Sequence, residues 1–239
     1  MKISGDIDRA MKGREFSSGI ALPIARHEWK LRRRMDVVES LVAGKRIIHL
    51  GCADHVTSIE KKLARDKWFH KRLADRAERC LGVDINPEGI AVMKGLGYKD
   101  VVLADLVRDP LPREIGSTRW DYMILGEIVE HQDNPVSFLN AIREKCHGFV
   151  ERIVVSAPHA FRHSNFTSAL CNVERINSDH RYWMTPYTLG KIGVRAGLEI
   201  EHFQMCQSFA LPPHWIFRRM LLTFFPGLRD DIVMVFRME

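Results

Sequence analysis

The sequence predicts an α/β fold: a doubly wound, Rossmann-like, mostly parallel sheet of seven strands with an antiparallel last strand, plus an N-terminal helix. Two observations carry that reading. Between residues 46 and 156, short apolar runs alternate with helical stretches, the rhythm of right-handed βαβ crossovers that build a parallel sheet buried on both faces. After residue 197 the rhythm changes: apolar runs at 198–205 and 231–237 are joined by a stretch holding Pro212, Pro213, Pro226 and the apolar-basic segment WIFRRMLLTFF.

The chain is long enough for one such unit. Its 239 residues are 46% hydrophobic and 28% charged, enough to fill a core without disulfide staples. Residues 1–43 read as a basic leader and an N-terminal helix packed on the core, 44–239 as the main domain, and about 206–230 as an insertion within it. Residues 1–22, polar with Gly and Ser, read as loosely ordered. In the helix that follows, Leu31, Met35, Val38 and Val42 recur at helical spacing, which sets an apolar stripe opposite Arg32-Arg33-Arg34, and Gly44 stands where a stop is expected.

The first strand is Arg46–Leu50, ending at Gly51, and the second is 80–83, ending at Asp84. Between them, 54–79 reads as helical in its later half, and 85–97 is the next helix. Strands three to five are 100–104, 120–125 and 152–156, with a helix over Pro135–Cys146 between the last two.

Charge sharpens the picture. Lys and Arg number 36 against 30 Asp and Glu, a net charge of +6. Residues 1–46 hold 11 basic and 6 acidic side chains, so +5 of the excess is N-terminal, centred on Arg26, Lys30 and Arg32-Arg33-Arg34. That region is either a solvated helix face or a contact for a polyanion or membrane surface. Residues 111–174 carry 6 basic and 8 acidic groups, which argues against reading the whole chain as a nucleic-acid binder. Five scattered cysteines without a CxxC exclude a zinc knuckle or disulfide framework. Together with an opening, MKISGDIDRA, that has no apolar signal stretch, they point to the cytoplasm. No uncharged apolar run approaches the ~20 residues that cross a bilayer.

In an open α/β sheet a ligand sits beyond the carboxyl ends of the strands. Gly51 there lets the backbone approach closely, and Asp84 can accept both hydroxyls of a ribose. The loop Gly51-Cys52-Ala53-Asp54-His55 lacks the G-x-G-x-x-G that seats a pyrophosphate, and Asp54 would repel one while tolerating an ammonium or sulfonium group. The residues favour a nucleoside cofactor over a dinucleotide.

The ordered segments IIHLGC, LGVDINPEGI, DVVLADL, WDYMILGEIVEHQDNP, IVVSAP and HRYWMTPYTLGKIGVRAGLEIE resemble the class I S-adenosylmethionine-dependent methyltransferases, over about residues 44–205. The resemblance implies S-adenosylmethionine as cofactor. It sets Gly51, with Cys52 and Ala53, against the amino-acid end, Asp84 on the ribose, Ile85 beside the adenine, Asp105 with Leu106 at the adenine amino edge, and Gly126 and Glu127 near the sulfonium. Two departures stand out. Ala53 replaces a glycine usual in the family, and 33 residues separate Gly51 from Asp84, longer than the ~20 common in nucleotide folds. The extra length at 55–67 suits a lid or substrate element.

Glu127-Ile128-Val129-Glu130-His131 follows a strand end, and offsets of three and four bring Glu127, Glu130 and His131 toward one helical face. This E-x-x-E-H resembles the small-molecule and glycan O-methyltransferases, including ubiquinone-pathway members, and the small-RNA 2′-O-methyltransferases. That resemblance implies a divalent metal (Mg²⁺, Mn²⁺ or Zn²⁺) held by Glu127, Glu130, His131 and His180. Without metal, His131 is the candidate general base, with His180 or His159 as substitutes. Tyr182, Trp183 and Tyr187 are acceptor-stacking residues or loop anchors. The segment from Trp215 to Phe225 reads first as core packing or a lid, then as a homodimer contact or an interfacial helix.

The expected function is S-adenosylmethionine-dependent O-methylation of a hydroxyl on a small-molecule or sugar-containing acceptor. The alternatives are a metal-assisted RNA 2′-O-methyltransferase and a non-catalytic, methyltransferase-like binding protein motivated by Ala53.

Overall fold

The computed structural model describes residues 5–24, 30–54 and 56–238. Arg26 and His55 lie outside the described residues. In chain order the elements are α1 (Gly5–Met11), α2 (Arg34–Val42), β1 (Arg46–Leu50), α3 (Val56–Ala64), α4 (Phe69–Ala74), β2 (Arg79–Asp84), α5 (Pro87–Gly95), β3 (Val101–Leu103), α6 (Arg113–Gly116), β4 (Trp120–Gly126), α7 (Pro135–Cys146), β5 (Val150–Pro158), α8 (His163–Leu170), α9 (Pro186–Arg195), β6 (Leu198–Cys206), α10 (Ile216–Phe224) and β7 (Asp231–Met238).

The seven strands form one sheet in the order β3-β2-β1-β4-β5-β7-β6, with β7 antiparallel to both neighbours and the other pairings parallel. Strand periodicity explains why the sheet is covered on both sides. Ile48, Leu50, Met123, Leu125 and Val155 enter one apolar cluster, while Ile47, Ile124 and Val154 enter another with Val37, Val38 and Val42 of α2. Successive side chains point to opposite faces, so a continuous apolar run feeds both layers. The order reverses between β1 and β4, and the ends of those strands, Gly51 and Gly126, face the crevice where such folds bind ligands.

Several expectations are refined. The leader is not uniformly loose: α1 buries Ile7, Ala10 and Met11, with Met11 beside Gly190 of α9. Most strands run longer than read, β5 to Pro158 because β7 pairs along it from Arg152↔Arg237 to Pro158↔Asp231, whereas β1 keeps its expected bounds and β3 is shorter than expected, Val101–Leu103. In α2, which starts at Arg34 and so leaves Leu31 outside the helix, the buried apolar residues are Val37, Val38 and Val42, with Glu39 also buried and Met35 only half-buried. Arg34 shares that inner face at i, i+3, i+4 and i+8, and its side chain is 15% exposed. The arginine run is therefore not a uniformly solvated face. Gly44, with φ 66°, is the left-handed stop expected after the helix.

At the start of α5, Asn86 Oδ1 accepts the amides of Glu88 (3.0 Å) and Gly89 (3.1 Å), and Pro87 takes the first helical position, where no amide is needed. Asn86→Ala is expected to cost about 1 kcal/mol, read as a lower denaturant midpoint at unchanged slope.

Candidate active site

The crevice is built on four strand ends. After β1, Gly51 turns the chain at φ 72°. A Cβ there would come within 2.8 Å of Ile128 Cδ1, so both conformation and space require glycine. At the end of β2, Asp84 is nearly buried and ties two loops together: Oδ2 accepts the Ala53 amide at 2.8 Å and Oδ1 accepts the Asn86 amide at 2.9 Å. Each carboxylate oxygen keeps a lone pair for a further donor. Ile85 beside it is 69% exposed, an apolar surface free to lie against a flat ligand.

Ala53 has a structural counterpart. It is fully buried, and a Cβ on Gly89 would fall 2.5 Å from the Ala53 methyl. The methyl that the loop carries is accommodated by a glycine on the facing helix. Gly89→Ala should overpack this contact by about 1–3 kcal/mol, and the double variant Ala53→Gly/Gly89→Ala should recover most of that loss in thermal unfolding. Additive losses would show that the two residues do not share the space.

After β3, Asp105 Oδ1 caps the amides of Val107 (2.8 Å) and Arg108 (3.2 Å), and the Leu106 side chain is buried in the main core. Leu106 thus offers the crevice its backbone only. The Asp54 carboxylate, at the loop's far end, is paired with Lys62 of α3, so the inserted helix closes over the loop. Buried Cys52 packs beneath, its thiol pushed out of the titrating range mainly by burial.

The β4 end holds a feature that sequence spacing did not suggest. Glu127 adopts φ 57°, a left-handed conformation costly for a non-glycine residue and concentrated at functional sites. Its carboxylate meets Arg34 of α2 at 3.0 Å. Arg34 also donates to Ser156 Oγ at 3.2 Å, lies 3.8 Å from the Asp231 carboxylate and stacks over the Phe69 ring at 5.4 Å. Burial opposes its charge, but Glu127 and Asp231 outweigh that and raise its pKa above the ordinary value. Arg34, Phe69, Ser156 and Asp231 were not singled out by motif. The available signal was that Arg34 lies at helical spacing with Val38 and Val42. Gly126 is pressed here: a Cβ would sit 2.8 Å from Phe69.

Glu130, His131 and His180 converge, one ligand atom from each lying within 4.8 Å of the others. The segment following β4 is a single 3₁₀ turn over Val129–His131, so Glu127 does not join the group and turns to Arg34 instead. Glu130 is fully buried with neither carboxylate oxygen hydrogen-bonded, and burial, with Glu127 and Asp231 nearby, raises its pKa to about 8. His131 Nδ1 donates to the Asp179 carbonyl at 3.1 Å, which leaves Nε2 as the lone-pair nitrogen. His180 Nδ1 is buried without a partner, and burial and His131 lower its pKa. The segment carrying His180 is strapped down by Arg181, whose amide donates to the Glu130 carbonyl (2.9 Å) and whose guanidinium donates to the His131 carbonyl (2.6 Å), and by Tyr182 Oη on the Asp133 carbonyl (2.9 Å). His159 is different: it is fully buried in the β5 end, and burial lowers its pKa to about 4.

Trp183 stands next to His180, ring centroids 6.2 Å apart, and forms one wall of a cavity of about 540 Å³ whose other walls include Phe161, Phe166, Val173 and Leu228. Arg162 lies over the Trp183 ring at 4.9 Å. Tyr187, on α9, faces Lys191.

No protein-family model and no curated protein matches this sequence. Solved structures do resemble it. A small RNA methyltransferase matches with a TM-score of 0.56 at 15% identity, over 94% of this chain and 27% of that one. The complex between the Haloferax volcanii Trm112 methyltransferase activator and a methyltransferase matches with 0.55 at 14%, over 98% and 94%. Magnesium protoporphyrin IX methyltransferase from Synechocystis, solved with bound S-adenosylhomocysteine, matches with 0.54 at 12%, over 98% and 94%. What these structures share with the chain is the fold.

Proposed function

We propose that this chain, which has the fold of the S-adenosylmethionine-dependent methyltransferases, transfers a methyl group to a hydroxyl oxygen of a small-molecule or sugar-containing acceptor. The observation that carries the reading is Asp84: a carboxylate at the end of β2, fixed by the Ala53 and Asn86 amides beside the left-handed Gly51 turn. Gly51, Cys52 and Ala53 would take the amino-acid end of the cofactor, Asp84 the ribose, Ile85 and Asp105 with the Leu106 backbone the adenine, and Gly126 and Glu127 the sulfonium side. S-adenosylmethionine, when bound, supplies an electrophilic methyl carbon. The chain's task is then to orient an acceptor oxygen and take its proton. His131, with Nδ1 fixed on the Asp179 carbonyl, presents Nε2 as the base, and the neighbouring His180 is the second candidate. The buried His159 is the weaker candidate. Ala53, the departure that prompted a non-catalytic reading, is accommodated by Gly89. The test is a screen of sugars, phenols and RNA with radiolabelled methyl donor; the reading requires label on a hydroxyl oxygen of one of the first two.

A second reading, metal-assisted RNA 2′-O-methylation, is favoured by one observation, the convergence of Glu130, His131 and His180. Two imidazoles and a carboxylate suit a divalent cation, and the unpartnered oxygens of buried Glu130 fit the role. Such an ion would supply Lewis acidity toward an acceptor oxygen. Glu130→Gln is expected to weaken Mn²⁺ binding at least tenfold in calorimetry while leaving S-adenosylhomocysteine affinity unchanged. Full activity in a chelator would remove the metal from either reading.

A further inference from the structure

The segment from Trp215 to Phe225, expected as core packing or a lid, buries little of itself. Of α10 only Leu222 is fully buried. Ile216, Phe217, Met220 and Phe224 are all exposed, Phe217 at 81%, and they recur at i, i+1, i+4 and i+8, one stripe along the helix. Leaving such a stripe in water is costly and unusual for a protein surface.

Two further observations say what covers it. First, the chemistry beside the stripe is cationic. Residues 208–229 contain Arg218, Arg219 and the buried Arg229 but no Asp or Glu; Arg218 is paired with Asp230 at 3.8 Å, which leaves Arg219 as the cation beside the stripe. Arg219 and Thr223 line a groove shared with Lys30 and Arg32, and the same two residues border the apolar groove formed with Ile216, Met220 and Phe224. Asp36, the acid in the cationic groove, is occupied by Arg33, which donates to both of its oxygens. Trp215 at the helix start is half-exposed and stacked by Arg218 at 5.1 Å. Second, α8 is likewise apolar and exposed: none of its residues is buried, Phe166 and Leu170 are largely exposed, and Phe161 precedes it in the same state. Phe161, Phe166 and Leu228, in the turn that follows α10, line the cavity beside Trp183, so α8 and that turn border one opening.

We infer that α10, with α8 beside it, is a membrane-docking face that lies on a bilayer rich in anionic phospholipid, apolar side chains at the acyl boundary and Lys30, Arg32 and Arg219 at the headgroups. A Trp/Phe/Met/Leu face flanked by arginines, on a helix too short to span, is the composition that binds in the interfacial plane; no helix of the described residues is long and apolar enough to cross a membrane. The docking does not rest on the methyl-transfer reading.

The test is co-sedimentation of the full chain with phosphatidylcholine vesicles, with and without about one third phosphatidylglycerol. Retention on the anionic vesicles, weakening with salt, is expected. Phe217→Ser/Phe224→Ser and Lys30→Glu/Arg219→Glu should each lower the partition coefficient at least about tenfold at unchanged melting temperature and unchanged S-adenosylhomocysteine affinity. A chain that stays in the supernatant overturns the inference, as does equal retention of both variants. So would a dimer in gel filtration that Phe217→Ser/Phe224→Ser dissociates without vesicle binding, or salt-sensitive RNA binding without vesicle binding. Loss of cofactor binding with vesicle retention intact would refute methyl transfer and leave the docking face standing.

Discussion

Asp84→Ala is expected to weaken S-adenosylhomocysteine binding by at least about 100-fold in titration calorimetry, because two hydrogen bonds to a charged carboxylate are worth about 3 kcal/mol or more together. A second contribution comes from the apo fold. The carboxylate holds the Ala53 and Asn86 amides at 2.8 and 2.9 Å, so its removal orphans both and frees the Gly51 loop from the start of α5. Asp84→Asn separates the two roles. It keeps one acceptor oxygen but turns an amide group toward a backbone donor, so affinity should fall by about tenfold and thermal stability less than in the alanine variant. Unchanged affinity in Asp84→Ala would remove the cofactor assignment, because Asp84 is the carboxylate that ends β2 among the described residues.

Arg34→Ala should be the most destabilising single change in the site, about 3–5 kcal/mol, with a melting temperature lower by about 10 °C. Arg34 is the cation that faces Glu127 at 3.0 Å and Asp231 at 3.8 Å, and fully buried Glu130 feels the same charge. Deleting it leaves buried carboxylates without their counter-charge, a larger loss than that of an exposed pair. The pH dependence follows from Asp231, whose pKa is raised chiefly by burial while Arg34 pulls it down. An acid with a higher pKa in the fold than in the unfolded chain keeps a proton that the unfolded chain has released. Its contribution therefore weakens as pH rises from the unfolded value toward the folded one. Without Arg34 the folded value climbs further, so the variant's deficit should be larger near pH ~8 than near pH ~5 in denaturant titrations. Arg34→Lys should fall between, since an ammonium supplies the charge but not the fork that reaches Glu127 and Ser156 together. A deficit under about 1 kcal/mol would show that water already screens the cluster.

Much of the crevice at the strand ends was legible before any fold was seen. Gly51 and Asp84 are local signals: a glycine at a strand end and an acid at the next. Each constrains its own backbone within a few residues. The E-x-x-E-H segment was legible as a cluster but not in its geometry. Helical spacing placed Glu127 with Glu130 and His131, whereas the chain leaves β4 through a left-handed Glu127 into a single 3₁₀ turn. That path lets Glu127 pair with Arg34, and no pattern within five residues encodes an ion pair to a residue 93 positions away. The basic run at 32–34 was misread for the same reason: charge count marks it as surface, and only the packing of α2 turns Arg34 inward.

The sequence by itself determined the sheet and the glycine-acid pair at the ends of its first two strands, because hydrophobic period and turn chemistry are short-range properties that survive without knowledge of neighbours. Tertiary structure alone decided that Arg34 neutralises the site, that His180 reaches His131 by way of the Arg181 strap, and that α10 keeps its phenylalanines outside. Each of these depends on which distant surface a side chain meets, and burial and charge pairing are fixed only when the whole chain has closed.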